Sequence, residues 1–113
     1  MTAVVAAVGL ASCSDVALVD RVVIRNPTEY TARVEVRGAE RGWLALTTVS
    51  ADATSTVERV IDQGPSWIFR FSYGGVEVET THQRDDLARS GWRVEVPSEF
   101  ETELRSEGVE PPP

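Results

Sequence analysis

Residues 67–80 set the strongest constraint on how this chain can fold. Trp67, Phe69, Phe71 and Tyr73 alternate with Ile68, Arg70 and Ser72, and beyond Gly74 and Gly75 the residues Val76, Val78 and Thr80 alternate with Glu77 and Glu79. Successive side chains of a strand point to opposite faces, so this period of two describes half-buried strands with an apolar inner face and a solvated outer one. Two such runs joined by two glycines predict a β-hairpin. The aromatic row then belongs to a core; the same row on an exposed face would be a platform for sugar stacking or a partner.

The rest of the chain repeats the pattern in short pieces. A Val- and Ile-rich run, 17–25, stops at Asn26-Pro27, where proline ends a ladder and turns the chain. Ala32, Val34 and Val36 then alternate with Arg33, Glu35 and Arg37, and after a turn at 38–42 the run 43–49 places Leu44 and Leu46 on one face. A β-branched run, 54–61, closes at Asp62-Gln63-Gly64-Pro65, a strong turn signal, and Trp92, Val94 and Val96 alternate with Arg93 and Glu95. Residues 84–90 have room for one helical turn.

Pro97 ends the last strand, and Ser98 with Glu101 has the spacing of a capping box. Phe100 and Leu104 make an apolar stripe at i and i+4, and Gly108 suits the position just beyond a helix end, so a helix over 99–107 is expected to pack on the sheets. Seven strand candidates predict a mainly β fold, a small immunoglobulin-like antiparallel β-sandwich with a short C-terminal helix, although the Cys-Trp-Cys hallmark of antibody domains is missing. A small barrel is the alternative, because one sequence does not give strand order.

At 113 residues one core and one domain are expected. A formal charge of −7 repels phosphate backbones and anionic lipid head groups, so no nucleic acid partner is expected and charge keeps the domain soluble and monomeric. A single Cys rules out an internal disulfide framework and a cysteine-rich zinc site.

That Cys follows a short uncharged apolar stretch, 3–11, far below the roughly 20 residues a spanning helix needs. The segment Leu10-Ala11-Ser12-Cys13 resembles the lipobox of bacterial lipoproteins: an aliphatic residue, two small ones, then the cysteine that receives the lipid. The resemblance covers the first 13 residues and implies a signal peptide over 1–12, cleavage before Cys13 and a lipid-anchored mature chain at the extracytoplasmic face of the membrane. The domain would then occupy 13–108, with 109–113 a disordered Pro-rich tail. The other reading makes Val4 to Leu10 a first core strand or helix, with Cys13 a small buried residue.

Candidate chemistry is sparse. His82 is the only histidine, with Asp85 and Asp86 nearby. A triad needs a positioned nucleophile and a metal site needs further ligands, so His82 is expected to face solvent in a loop and one aspartate to cap the turn after it. Glu77 and Glu79 share a face but read as a charge-paired surface beside Arg70 and not as glycosidase carboxylates. No phosphate-cradling glycine loop precedes a helix, so no cofactor is expected. Trp43, beside Gly42 in a turn, is the aromatic expected to be exposed, and the loops 38–43 and 81–86 are the places to look for a partner surface. These features describe a non-enzymatic exported domain with a protein partner. The alternatives are a cytoplasmic accessory β domain that retains 1–13 in its fold and, more remotely, a small hydrolase.

Overall fold

The computed structural model describes residues 17–113; the lipobox-like segment, Cys13 and the alternative first strand lie outside the described residues. Seven strands and two short helices follow in the order β1 (Leu18–Asn26), β2 (Ala32–Arg37), β3 (Leu44–Val49), β4 (Ala53–Ile61), β5 (Ser66–Tyr73), β6 (Val76–Gln83), α1 (Arg84–Arg89), β7 (Arg93–Glu95) and α2 (Ser98–Ser106). They form a four-stranded sheet, β3-β2-β5-β6, and a three-stranded sheet, β4-β1-β7. Every pair is antiparallel except β1 with β7, which is parallel. The architecture is an immunoglobulin-like sandwich with a C-terminal helix. As with strands B and E of a constant-type domain, β2 and β5 form the central pair of the larger sheet, but β3 and β6 flank them here.

The alternation assigns the inner faces correctly. Ala32, Val34, Val36, Trp67, Phe69 and Phe71 are buried and meet Val22, Ile24 and Val60 of the other sheet in one core. Gly74 and Gly75 both have positive φ, 56° and 86°, which is what a two-residue turn matched to strand twist demands. That turn sets Tyr73 opposite Val76 and carries the register down the β5/β6 pair.

Two strands break the simple period. A bulge in β3 leaves Leu46 without a ladder partner, since Thr47 pairs with Val34 and Ala45 with Glu35; Leu44 and Leu46 still pack against the core as the sequence predicts, and Thr47 beyond the bulge is half-buried as well. In β1 both Val19 and Val22 are buried, a spacing of three, and across from them Arg59 of β4 takes a left-handed φ of 58°. Both strands of that pair switch faces together, so Val60 returns to the core beside Val19.

The turn after β1 is held by a side chain. Asn26 is wholly buried; its amide nitrogen donates to the carbonyls of Tyr30 (2.7 Å), Val49 (3.1 Å) and Ser50 (3.1 Å), and its oxygen accepts from the Thr28 N–H (3.1 Å) and hydroxyl (2.8 Å). One residue thus supplies hydrogen-bond partners to backbone groups of two turns and of the end of β3.

Helix α2 buries Phe100 and Leu104 as its stripe predicts, an apolar burial worth about 1.5–3 kcal/mol for each side chain. Its start differs from expectation. Pro97 occupies the cap and no side chain bonds the first amides, because Ser98 already lies inside the helix; Glu101 instead receives Arg105 at 2.7 Å. Its end follows the glycine rule. Gly108 sits at φ 73°, its N–H bonds the Arg105 carbonyl (3.1 Å) and the Val109 N–H bonds the Leu104 carbonyl (3.0 Å), the paired bonds of a Schellman motif. Val109 is not part of a disordered tail: it packs on the core, and its carbonyl accepts the Tyr30 hydroxyl at 2.6 Å.

Candidate partner-binding site

Topology gathers the two segments singled out in the sequence, 38–43 and 81–86, at one end of the sandwich. Leu18 at the start of β1 pairs with Ile61 at the end of β4, and the Asp62 N–H donates to the Ala17 carbonyl at 3.0 Å. Ser66 opens β5 opposite Gln83, while β2, antiparallel to β5, ends beside Ile68 with Arg37. The segments 38–43 and 62–65, the end of β6 and the start of β1 therefore share this end.

Trp43 is half-buried on the outer side of the four-stranded sheet. The Arg70 guanidinium carbon lies 4.0 Å from the centroid of its ring and that of Arg37 lies 5.0 Å away. Arg70 is fixed in turn, because the β2/β5 register sets it opposite Glu35, whose Oε1 accepts its Nε at 2.9 Å and lies 2.7 Å from its terminal nitrogen. Arg33 approaches the other Glu35 oxygen at 3.5 Å and Glu77 lies 3.9 Å from Arg70, the cross-strand charge pairing expected of this face.

The loop bearing Trp43 lies against the 62–65 turn through a glycine. A Cβ on Gly38 would stand 2.2 Å from the Gln63 carbonyl oxygen, so only glycine permits that approach. Gln63 is buried, and its amide nitrogen donates to the Ile61 carbonyl at 2.7 Å, which fixes the amide orientation. Its Oε1 and the Arg37 Nε are both buried without a hydrogen-bond partner among the described residues. Between the loops runs a surface groove of about 430 Å³ lined by Arg41, Gly42, Trp43, Leu44, Ile61 and Gln63.

Beyond the 62–65 ridge lies a second groove, of about 510 Å³, bordered by Leu18, Arg21, Arg84, Trp92 and Arg93. Asp62 links the two sides. It accepts Arg84 Nε at 2.9 Å and the Gly64 N–H at 3.0 Å. Burial alone would push its carboxyl up, but the hydrogen bonds from Arg84 and Gly64 and the charges of Arg84 and Arg41 outweigh that and hold it below the usual carboxylate value. Arg84 also lies over the Trp92 ring at 5.5 Å. Trp92 adopts φ 61°, uncommon for a bulky residue, and packs against Trp67 with centroids 5.1 Å apart.

Three sequence-derived candidates sit differently from expectation. His82 is a strand residue of β6, not a loop residue; it faces Trp67 across the ladder, stands edge-on to Phe69 at 5.5 Å and has Nε2 3.1 Å from the Thr80 hydroxyl. The ladder continues through it because Thr80 and His82 occupy the inner face of an edge strand over the aromatic row. Burial lowers its pKa, against the opposing charge of Asp86. Asp85 and Asp86 lie in the first turn of α1, so 81–86 is strand and helix and not a loop. Gln83 occupies the helix cap with no side-chain bond, and the aspartates act on the helix dipole, with Asp86 also paired to Arg89. Among the described residues no group of three His, Cys, Asp or Glu side chains is placed to hold a metal ion.

Arg37, Gln63 and Asp62 form this end together with Trp43, yet in the sequence Arg37 is one outward residue of an alternating strand and Gln63 one residue of a turn. Their roles come from contacts between segments distant in the chain. No family model, curated protein or solved structure matches the chain.

Proposed function

We propose that this chain is a non-enzymatic, exported interaction domain, anchored to the membrane by a lipid on Cys13, which engages a protein partner through the end of the sandwich that carries Trp43. The observation behind the partner surface is the seating of Trp43 against Arg70, itself locked by Glu35. Trp and Arg are the residue types that dominate interface energetics, and a side chain already ordered saves about 0.5–1.5 kcal/mol of ordering on binding. Stacking of a guanidinium on indole contributes roughly 0.5–2 kcal/mol to that order.

Anchoring rests on the lipobox resemblance of Leu10-Ala11-Ser12-Cys13. Five peptide steps separate Cys13 from Leu18, a reach of at most about 18 Å, so a lipid on Cys13 would hold the Trp43 end toward the membrane. The His82–Thr80 pair gives the hydrolase alternative little: the imidazole lies against Phe69, and its carboxylate neighbour Asp86 acts on it through charge without a hydrogen bond.

The test is the intact mass and membrane partitioning of the full chain expressed in a bacterial host, beside Cys13→Ala. Loss of 1–12, a gain of lipid mass and partitioning into membranes in the native chain alone support the reading. An unmodified mass with both forms soluble overturns the anchor and favours the cytoplasmic accessory domain.

A further inference from the structure

Building on the reading of the Trp43 end as a partner surface, we infer that the partner presents an extended peptide segment bearing a carboxylate, seated in the groove between 38–43 and 62–65. Three groups around the indole specify that chemistry. Gln63 Oε1 is an acceptor held in one orientation by the bond from Nε2 to the Ile61 carbonyl, and it has no donor among the described residues. A buried acceptor left in this way is costly, and a main-chain N–H of an incoming segment would satisfy it. The Arg37 Nε is a buried donor, likewise unpartnered, beside the Trp43 ring.

Charge supplies the second half. Arg37 and Arg41 make no ion pair among the described residues, whereas Arg70 is matched by Glu35 and Arg84 by Asp62. The one opposing group in the loop, Glu40, is exposed and also makes no ion pair among the described residues. Arg37 over the indole and Arg41 on the groove wall, the latter sharing the Asp62 carboxylate at a distance with Arg84, form a local cationic and apolar spot on a domain whose overall charge is −7. A carboxylate beside an extended backbone offers what the groove lacks: an anion for the guanidinium groups and an N–H for Gln63. Anionic lipid would answer the guanidinium groups too, but an extended anionic surface meets the full negative field of the domain, whereas one peptide carboxylate meets mainly the local charges. The groove, about 430 Å³, matches a few side chains and not a broad surface.

The experiment is selection of a random displayed peptide library on the full chain, with counter-selection on Trp43→Ala, followed by titration of the selected peptides into isotope-labelled protein. Enrichment of peptides carrying Asp or Glu is expected, with shifts at the Gln63 side-chain amide, the Arg37 Nε–H and the Trp43 indole. Arg41→Ala should weaken their binding by about tenfold, as loss of one charged hydrogen bond would. Gln63→Leu should weaken acidic and neutral peptides alike, because it removes an acceptor and no charge.

Enriched peptides that bind Trp43→Ala equally well, or no enrichment, overturn both this inference and the partner surface. Peptides that depend on Trp43 but are neutral and indifferent to Arg41→Ala overturn the carboxylate while leaving the surface in place. Shifts of the same residues with phosphatidylglycerol vesicles but with no peptide assign the groove to lipid and overturn the inference. Unchanged backbone resonances elsewhere in Arg41→Ala show that the variant keeps its fold.

Discussion

Replacing Asn26 should cost far more than its place at the end of a strand suggests, and the two replacements Leu and Asp should fail in different ways. In Asn26→Leu the Tyr30 carbonyl keeps the Thr28 hydroxyl at 3.2 Å, but the Val49 and Ser50 carbonyls lose the amide that donates to them and the Thr28 N–H loses its acceptor. Each buried group left unpaired costs roughly 1–3 kcal/mol, and Ser50, only partly buried, recovers some of this from water, so a net loss of about 3 kcal/mol is expected. A domain of this size has about 5–15 kcal/mol in all. With a urea dependence of roughly 1.5 kcal/mol/M, the unfolding midpoint should fall by about 2 M.

Asn26→Asp keeps the shape but turns a carboxyl oxygen toward three carbonyls, so only the protonated acid can donate there. The folded state then holds that proton above the pKa of the unfolded chain. The deficit relative to the native sequence should be smallest below about pH 4 and should grow as pH rises through the folded value. Urea titrations of both variants between acid and neutral pH read the two effects. A loss below about 1 kcal/mol for Leu, or an Asp deficit independent of pH, would refute the view that this amide holds the two turns together.

Asp62→Asn removes a carboxyl held below its ordinary value, so the stability it supplies is present above about pH 4 and disappears as pH falls through the folded value; the variant should be less stable at neutral pH, by no more than the small amount a solvent-screened ion pair contributes, and the gap should close in strong acid, as urea midpoints will show. His82 is neutral by burial, so its ring should titrate below 6.5 by NMR, and stability should decline as pH falls from 6.5 toward that value; a normal or raised titration would contradict the packing against Phe69. Gly38→Ala should lower stability by about 1–3 kcal/mol and shift the Trp43 indole resonance, because the new methyl meets the Gln63 carbonyl, while Gly42→Ala, with nothing within 4 Å, should do neither. Leu104→Ala should cost about 2–5 kcal/mol and release Val109 from the Tyr30 hydroxyl, read as loss of amide protection at 109.

Much of the candidate site was not legible in advance, for reasons that differ by residue. The turn glycine beside Trp43 points to an exposed indole, whereas the ring is half-buried with Arg37 and Arg70 over it, a seating that depends on strands distant in the chain. Arg37, Arg70 and Glu35 were legible only as outward residues; their joint seating of the indole depends on the register that sets Glu35 opposite Arg70, 35 residues apart. Gln63 carried no signal, because a glutamine in a turn is ordinary until a glycine elsewhere brings a backbone against it. His82 was misplaced because no turn residue marks where an edge strand ends, and the ladder with β5 carried it one residue beyond His82 to Gln83.

Near neighbours along the chain suffice for part of this structure. The period of two chose the inner faces of β2, β5 and β6, paired glycines chose the hairpin, and Phe100, Leu104 and Gly108 placed the last helix and its end. Long-range contacts set which strands adjoin, that β7 runs parallel to β1, where the faces of β1 and β4 switch, and that Asn26 ties two turns together. Burial of apolar surface is non-directional, so alternation states which side of a strand is buried but not against which partner. That choice belongs to the sum of contacts across the whole sandwich, and the Trp43 end exists only once the choice is made.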